Sequence, residues 1–176
     1  MKKLLLLRHA KSDRQAGVED FERPLNARGR RAAPKMAEAM RVRGLVPDLA
    51  LVSPAERTRE TWILMGRAFE ELRVDTDFAD RLYLASANHI LSLIRQLAPE
   101  VQTALILGHN PGIEDLAARL PSDEQTKDGA AALERLKRKY PTCALTVLSF
   151  PIESWSELEA GMGRLIEFLT PSALED

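Results

Sequence analysis

Cysteine pairs, long apolar runs and an excess of one charge sign are all missing from this 176-residue sequence. The single cysteine, Cys143, excludes an intramolecular disulfide and fits a reducing compartment. The apolar run at the N-terminus covers only Leu4 to Leu7, which is too short for a signal peptide or a membrane span, so we expect a cytoplasmic protein. The net charge of -1 offers no global basic field for a nucleic acid, and any positive site must be local.

Motifs for metals and nucleotides are also missing. Three histidines and one cysteine are scattered without zinc-ligand spacing, and no G-x-x-x-x-G-K loop occurs. Asp75 and Asp77 in "VDTDF" follow "EELR", which is too polar for a buried strand, so we interpret this segment as a solvated turn rather than a magnesium site. Cys143 continues into "ALTVLSF" without the nearby arginine of a cysteine phosphatase, which makes it a core residue. We therefore expect no metal and no cofactor.

What the sequence does contain is an alternation of apolar strands with helices. Strands are predicted at Leu4–Leu7, "PDLALVS", "TALILG", "ALTVLSF" and "GRLIEFL", with a further one at Leu72–Asp75. The polar stretch between Leu120 and Ala130 is predicted to be a surface loop. The pattern predicts one α/β domain over residues 1–176, a three-layer fold whose mostly parallel sheet lies between helices. A hairpin or a crossover could join the last two strands, so a mixed sheet is also compatible with the pattern.

Capping residues mark the predicted helices. Asn26 is the predicted N-cap of the first helix, and Gly44 stands where that helix should stop. Pro34 is expected to kink this helix or delay its start. Ser53 before "PAERTRETW" has the pattern of a capping box, and Ser86 precedes the amphipathic "ANHILSLIRQL".

Three of the predicted strands end next to a cation or an imidazole. The first ends in Arg8 and His9, the second at Ser53 with Arg57 one helical turn later, and the fourth just before His109. Ligands of open α/β sheets bind beyond the carboxyl ends of the strands, so these side chains converge if the strands are parallel neighbours. Arginine binds phosphate bidentately, helix N-termini attract anions, and an imidazole can act as a nucleophile. The pattern therefore predicts a phosphoryl-transfer site.

Three motifs resemble those of a known family. "LLLLRHAKS", "SPAERTRET" and "ILGHNPGIEDL" resemble, in order and spacing, the signatures of the histidine phosphatase superfamily, which has the phosphoglycerate mutase-like fold. "FERPLNARGRRAAPKMA", "DRLYLAS", "KYPTCALTVLSF" and "GRLIEFLTP" are similar to segments of its short SixA-type phosphohistidine phosphatases. The resemblance covers nearly the whole chain and implies this fold.

The resemblance also implies roles for individual residues. His9 corresponds to the phosphoryl acceptor, and Arg8, Arg57 and His109 complete the phosphate pocket. Ser12 stands where members of the superfamily often carry a hydroxyl residue near the phosphate. Position 10 is alanine rather than the commoner glycine, a small change that leaves the assignment standing.

A general acid is the least defined part of this prediction. Many superfamily members protonate the leaving group with a carboxyl group from another loop, and Asp80 in "FADRLY" is our candidate, with Asp77 behind it. A phosphohistidine substrate has less need of an acid, because its imidazole leaves readily once protonated.

The predicted function is that of a metal-independent phosphatase that forms a phosphohistidine intermediate and dephosphorylates phosphohistidine on a protein. The alternative is a small-molecule phosphomonoesterase of the same superfamily. A phosphoglycerate mutase fits less well, because mutases usually need lid segments that 176 residues hardly supply. A phosphate-binding module without catalysis would not need the second histidine. We expect a phosphorylated protein or small substrate as partner, and neither a nucleic acid nor a membrane. The sequence does not fix the oligomeric state.

Overall fold

The computed structural model describes residues 1–175 and places six strands in one mixed sheet between layers of helices. The strands are β1 (Lys2–Arg8), β2 (Leu49–Val52), β3 (Asp75–Phe78), β4 (Thr103–Gly108), β5 (Leu145–Phe150) and β6 (Arg164–Leu169). The helices are α1 (Ala27–Val42), α2 (Glu56–Met65), α3 (Ala87–Arg95), α4 (Gly112–Arg119) and α5 (Lys127–Arg138). No helix within residues 1–175 is both long and apolar enough to cross a membrane.

The strand order is β3-β2-β4-β1-β5-β6. The first four strands in this order are parallel, and β5 is antiparallel to both β1 and β6. The predicted three-layer fold with a mostly parallel, mixed sheet is therefore confirmed. The last two strands are antiparallel neighbours, which resolves the choice that their sequence left open.

The central strand β1 shows why its sequence is continuously apolar. Leu4 and Leu6 pack into the core on one face of the sheet, and Leu5 and Leu7 pack into the core on the other. All four side chains are fully buried, and each contributes about 1.5–3 kcal/mol through the hydrophobic effect. A strand covered on both faces cannot alternate with polar residues.

Two of the predicted helix caps are present in the structure. The side chain of Asn26 accepts a hydrogen bond from the Gly29 N–H (2.9 Å), and that of Ser86 accepts one from the His89 N–H (3.2 Å). Gly44 has a φ of +69°, the left-handed conformation that glycine adopts at the end of a helix.

The first two helices also differ from the prediction. Helix α1 begins at Ala27 and continues through Pro34, so the predicted delay at this proline is wrong. The proline ring faces solvent while Ala33, Met36 and Ala37 are buried against the core, and this packing outweighs the lost backbone hydrogen bond. Ser53 is not the N-cap of α2, because that position belongs to Ala55, which has no side-chain cap.

The observed bounds of strand β3 and the start of helix α5 differ from the sequence-based predictions. The third strand is Asp75–Phe78 rather than Leu72–Asp75, and the interpretation of "VDTDF" as a solvated turn was wrong. β3 is an edge strand paired only with β2, and all four side chains are exposed, which explains its polar sequence. The predicted loop between Leu120 and Ala130 is shorter than expected, because α5 already begins after an N-cap at Thr126.

The sheet order brings together the three strand ends that carry the predicted site. β4 lies between β2 and β1, and all three are parallel. Their carboxyl ends are in register, with Val52 opposite Leu107 and Arg8 opposite Gly108. The segments that follow these strands therefore leave the sheet side by side.

Candidate active site

The structure brings the two predicted histidines together and buries them. His9 and His109 are 6% and 2% exposed, and their ring centroids are 5.3 Å apart. Arg57 is 2% exposed although it lies in the first turn of α2. Arg8, at the end of β1, is half-buried. The charges of both arginines act on both imidazoles, so the predicted set of four residues, hereafter the quartet, forms one electrostatic unit.

The main chain fixes the proton and orientation of His9. Its Nδ1 lies 2.7 Å from the carbonyl oxygen of Ala10, and because a carbonyl only accepts, Nδ1 carries the proton. The lone pair of the neutral ring is therefore on Nε2. The loop itself is held, because the Ala10 N–H donates to Thr61 Oγ1 (3.1 Å) and the Cys143 N–H donates to the His9 carbonyl (2.9 Å).

Both histidines are held in the neutral form. Burial first, and then the neighbouring His109, Arg57 and Arg8, lower the pKa of His9 to about 3 against the raising effect of the hydrogen bond to Ala10. Burial also lowers the pKa of His109 to about 3, with Arg57 as the next cause. A neutral His9 with an available Nε2 lone pair has the electronic form that a nucleophile requires.

His109 is positioned by a hydroxyl group and an aromatic ring. Its Nε2 lies 2.7 Å from Ser53 Oγ, at the end of β2. The Ser53 oxygen accepts from the Ala55 N–H (3.5 Å), and a Ser53 hydroxyl that donates to Nε2 leaves the proton of the neutral His109 ring on Nδ1. The ring of Tyr83 packs edge-on against His109 with centroids 5.6 Å apart.

Three buried donors of the quartet have no hydrogen-bond partner within residues 1–175. They are Arg8 Nε, Arg57 Nε and His109 Nδ1, and within residues 1–175 one further buried side-chain atom, Asn110 Oδ1, shares this condition. An unpaired buried donor costs about 1–3 kcal/mol, so proteins rarely retain such groups without a use. An oxyanion would accept hydrogen bonds from all three.

The two arginines are anchored through their terminal nitrogens. Arg8 NH1 donates to the carbonyl oxygen of Tyr140 (2.9 Å). Arg57 NH1 donates to the main-chain oxygen of Asp20 (2.6 Å), and its NH2 donates to Asp20 Oδ2 (3.0 Å). Asp20 thus occupies the end of the Arg57 guanidinium, and the side edge that includes Nε remains available for bidentate binding of an anion.

Asp20 is the residue of this site that the sequence did not reveal. It begins a short 3₁₀ turn, Asp20–Glu22, and its carboxylate accepts hydrogen bonds from Tyr83 Oη, Arg57 and Arg23. These bonds, that from Tyr83 first, lower the pKa of Asp20 to about 2. The only signal was proximity to "FERPLNARG", the segment that resembles the SixA-type proteins and begins one residue later.

Ser12 and Asp80, the two less defined predictions, make no hydrogen bond to a quartet side chain in the described part of the chain. The Ser12 hydroxyl accepts a hydrogen bond from Arg23 NH1 (2.8 Å), which links the loop after β1 to the segment that carries Asp20. Asp80 begins a 3₁₀ turn, Asp80–Leu82, and its side chain is exposed. From that segment it is Tyr83 that packs against His109. The roles predicted for Ser12 and Asp80 remain predictions.

Residues that were interpreted as structural lie outside the quartet. His89 is exposed on α3. Cys143 is fully buried, and burial raises the pKa of its thiol to about 12. Within residues 1–175, no cluster of three or more histidine, cysteine, aspartate or glutamate side chains could hold a metal ion.

Comparison with known proteins identifies relatives along nearly the whole chain. The sequence model of the histidine phosphatase superfamily (branch 1) matches residues 4–118. An uncharacterized protein of Mycobacterium tuberculosis is 33% identical over 165 residues, which cover 94% of this chain and 99% of that protein.

Solved structures also match this chain over nearly its whole length. A proposed phosphohistidine phosphatase SixA from Agrobacterium tumefaciens is 35% identical, with a TM-score of 0.77 over 97% of this chain and 98% of that one. A proposed SixA from Nakamurella multipartita is 28% identical, with a TM-score of 0.79 over 97% of this chain and 96% of that one. Both similarities extend beyond the three motifs to the complete sheet and its helices.

Proposed function

Because this chain belongs to the histidine phosphatase superfamily, we propose that it is a metal-independent phosphatase that dephosphorylates phosphohistidine on a protein through an intermediate on His9. Family membership and the similarity to SixA structures support phosphatase activity. One observation carries the mechanism: a buried, neutral imidazole whose Nε2 is free lies beside three buried donors without partners.

In the first step, the Nε2 lone pair of His9 attacks phosphorus in line with the leaving group. The new bond joins Nε2 to phosphorus, and the bond between phosphorus and the substrate imidazole breaks. The two Nε–H groups of Arg8 and Arg57 and the Nδ1–H of His109 stabilise the charge on the three equatorial oxygens. The Ala10 carbonyl stabilises the positive charge that develops on the His9 ring, because its oxygen accepts a hydrogen bond from Nδ1–H.

In the second step, a water molecule attacks the phosphorus of the phosphorylated His9. The bond between Nε2 and phosphorus breaks, inorganic phosphate leaves, and His9 returns to the neutral form. The same donors serve both steps, because both pass through a transition state with the same equatorial oxygens.

Two carboxyl groups, Asp20 and Asp80, are poorly suited to protonate the leaving group of an alkyl phosphate. Asp20 has a pKa of about 2 and is ionised at neutral pH, so it cannot donate a proton to an alkoxide. Asp80 is exposed and makes no hydrogen bond to the quartet. A protonated imidazole leaves without an acid, whereas an alkoxide needs one. A small-molecule phosphomonoesterase is therefore the weaker candidate.

Replacement of His9 by alanine tests the mechanism. We expect His9→Ala to abolish turnover of a phosphohistidine protein, by at least about 10³-fold, because no other group can form the intermediate. Rapid-quench trapping of the native enzyme with a ³²P-labelled substrate should show an acid-labile, base-stable phosphoenzyme that His9→Ala lacks. His89→Ala removes an exposed histidine and serves as the matched control. Label on a serine, cysteine or aspartate would refute the mechanism, and a chelator should leave turnover unchanged.

A further inference from the structure

A positively charged groove adjoins the loops that carry the quartet, and none of the four quartet residues lines it. Its volume is about 450 Å³, and the residues within 1–175 that line it include four cations, Lys11, Arg28, Arg135 and Lys139, but no carboxylate. We propose that this groove, hereafter the basic groove, docks an acidic segment of the phosphorylated protein on which the enzyme acts. This inference rests on the proposed function and adds to it the chemistry of the partner.

The cations of the basic groove depart from the charge balance of the whole chain. The whole chain has nearly equal numbers of basic and acidic residues, 25 and 26. The excess of cations in the basic groove continues into an adjoining groove that shares Arg28. The lining of that second groove adds Arg31, Lys35 and one carboxylate, Glu175. Among the ion pairs within residues 1–175, none involves a cation of the basic groove. A cluster of cations that form no ion pair within residues 1–175 attracts carboxylates from a partner and steers their approach.

The floor of the basic groove favours a peptide over a nucleic acid. Ala32, Pro141 and Pro171 contribute apolar surface between the cations, which suits aliphatic side chains interspersed with carboxylates. Proteins that bind single-stranded nucleic acids combine a basic groove with exposed aromatic rings on which bases stack. The one aromatic ring of the lining, Phe168, is 3% exposed and has the Arg135 guanidinium over its face, so it offers no stacking platform.

The basic groove and the quartet are built from the same two loops. Lys11 lies two residues after His9 on the segment that leaves β1. Lys139 precedes Tyr140, whose carbonyl oxygen accepts the hydrogen bond from Arg8 NH1 (2.9 Å). A segment held in the groove is therefore next to the proposed phosphoryl site. This arrangement would give the enzyme a preference for a phosphohistidine that lies near an acidic segment in the same protein.

Two synthetic phosphohistidine peptides test the docking role. One carries an acidic segment in which glutamates alternate with leucines, and the other carries glutamine at each glutamate position. We expect the native enzyme to have a kcat/KM about tenfold higher for the acidic peptide at low salt, and high salt should remove this preference. In Arg28→Glu/Lys139→Glu the ratio of the two kcat/KM values should fall to about one, whereas general damage to the site would lower both values and keep the ratio.

Binding of fluorescein-labelled, unphosphorylated versions of the two peptides, followed by anisotropy, tests docking without catalysis. The acidic peptide should bind about tenfold more weakly to Arg28→Glu/Lys139→Glu than to the native protein. The matched control, Arg67→Glu/Arg73→Glu, makes the same charge change at exposed residues before β3 and should keep the native affinity and ratio.

Three outcomes would overturn either the docking role of the basic groove or the proposed function. Equal affinities of the native protein for both peptides would refute docking. An RNA oligonucleotide that displaces the acidic peptide and binds more tightly would reassign the groove to nucleic acid. Hydrolysis of neither peptide would refute the proposed function, and the anisotropy result would still decide the docking role.

Discussion

The guanidinium group of Arg57 is anchored at one edge by Asp20. Asp20 binds NH1 through its main-chain oxygen and NH2 through its carboxylate, and this leaves the Nε edge without a partner. The carboxylate itself is held by Tyr83 and Arg23. An arginine anchored at one edge loses little entropy when the other edge binds an anion. We therefore expect Asp20 to act as a positioning residue for Arg57.

Replacement of Asp20 by asparagine tests this positioning. We expect Asp20→Asn to raise the inhibition constant of inorganic phosphate about tenfold and to lower kcat/KM by a similar factor, because Arg57 loses its charged anchor. The side chain of Asp20 is 47% exposed but that of Arg57 is only 3% exposed, so loss of the charged partner of a buried guanidinium should also lower the unfolding free energy. The measurement is phosphate inhibition of turnover, with urea denaturation alongside.

The opposite result has a distinct meaning. A tighter inhibition constant for phosphate in Asp20→Asn would show that the carboxylate competes with the anion for Arg57, and it would refute the positioning role. Asp13→Asn is the matched control, since Asp13 lies in the same segment and its carboxylate is hydrogen-bonded to Arg14 and Gln15 rather than to the quartet.

The N-terminus of α1 is the element that supports the loop of His9. A Cβ atom added at Gly29 would lie 2.2 Å from the carbonyl oxygen of Lys11 and 2.9 Å from its nitrogen. The same Lys11 carbonyl accepts a hydrogen bond from the Asn26 N–H (3.0 Å). Because these are main-chain atoms, a methyl group at position 29 could be accommodated only if the helix or the loop moved.

Alanine at Gly29 should therefore destabilise the protein, although alanine normally favours a helix. We expect Gly29→Ala to lower the unfolding free energy by about 1–3 kcal/mol and to reduce kcat/KM as the His9 loop shifts. Gly66→Ala is the matched control, because Gly66 has helical dihedral angles and nothing lies within 4 Å of its added Cβ. That change should be neutral or stabilise by up to about 1 kcal/mol. Equal effects of the two substitutions in urea denaturation would contradict this account.

The same elements explain how far the sequence could be interpreted. Strands with two buried faces and the helices capped by Asn26 and Ser86 carry local signals and were predicted, whereas the cap at Thr126 was interpreted as part of a loop. β3 was missed because an edge strand with exposed side chains has the composition of a loop. The quartet follows from motifs at strand ends, whereas Asp20 lies in a 3₁₀ turn without periodicity and reaches Arg57 only through the fold, 37 residues away. Tyr83 was missed for the same reason.

At the scale of the whole molecule, the site makes stability depend on pH. His9 and His109 each have a pKa of about 3 in the folded protein, against 6.5 as the ordinary value that applies to the unfolded chain. Between these values the unfolded state binds more protons than the folded state, so the unfolding free energy falls as the pH falls. The stabilising contribution is complete above about pH 6.5 and is lost progressively toward about pH 3. The buried neutral histidines of the proposed active site thus make the fold sensitive to acid.

Removal of one of these histidines should reduce the number of protons that the protein takes up on unfolding by one, and so make stability less dependent on pH. The unfolding free energy, measured by urea denaturation between about pH 4.5 and about pH 6, should fall less steeply in His9→Ala than in the native protein, by about 1.4 kcal/mol per pH unit. This window lies above the range in which Asp20, with its pKa of about 2, changes charge between the folded and unfolded states. His89→Ala, at an exposed position, should keep the native slope. Parallel curves for His9→Ala and the native protein would show that His9 is not held neutral by the fold, and the nucleophile would then need deprotonation by another group before it could attack.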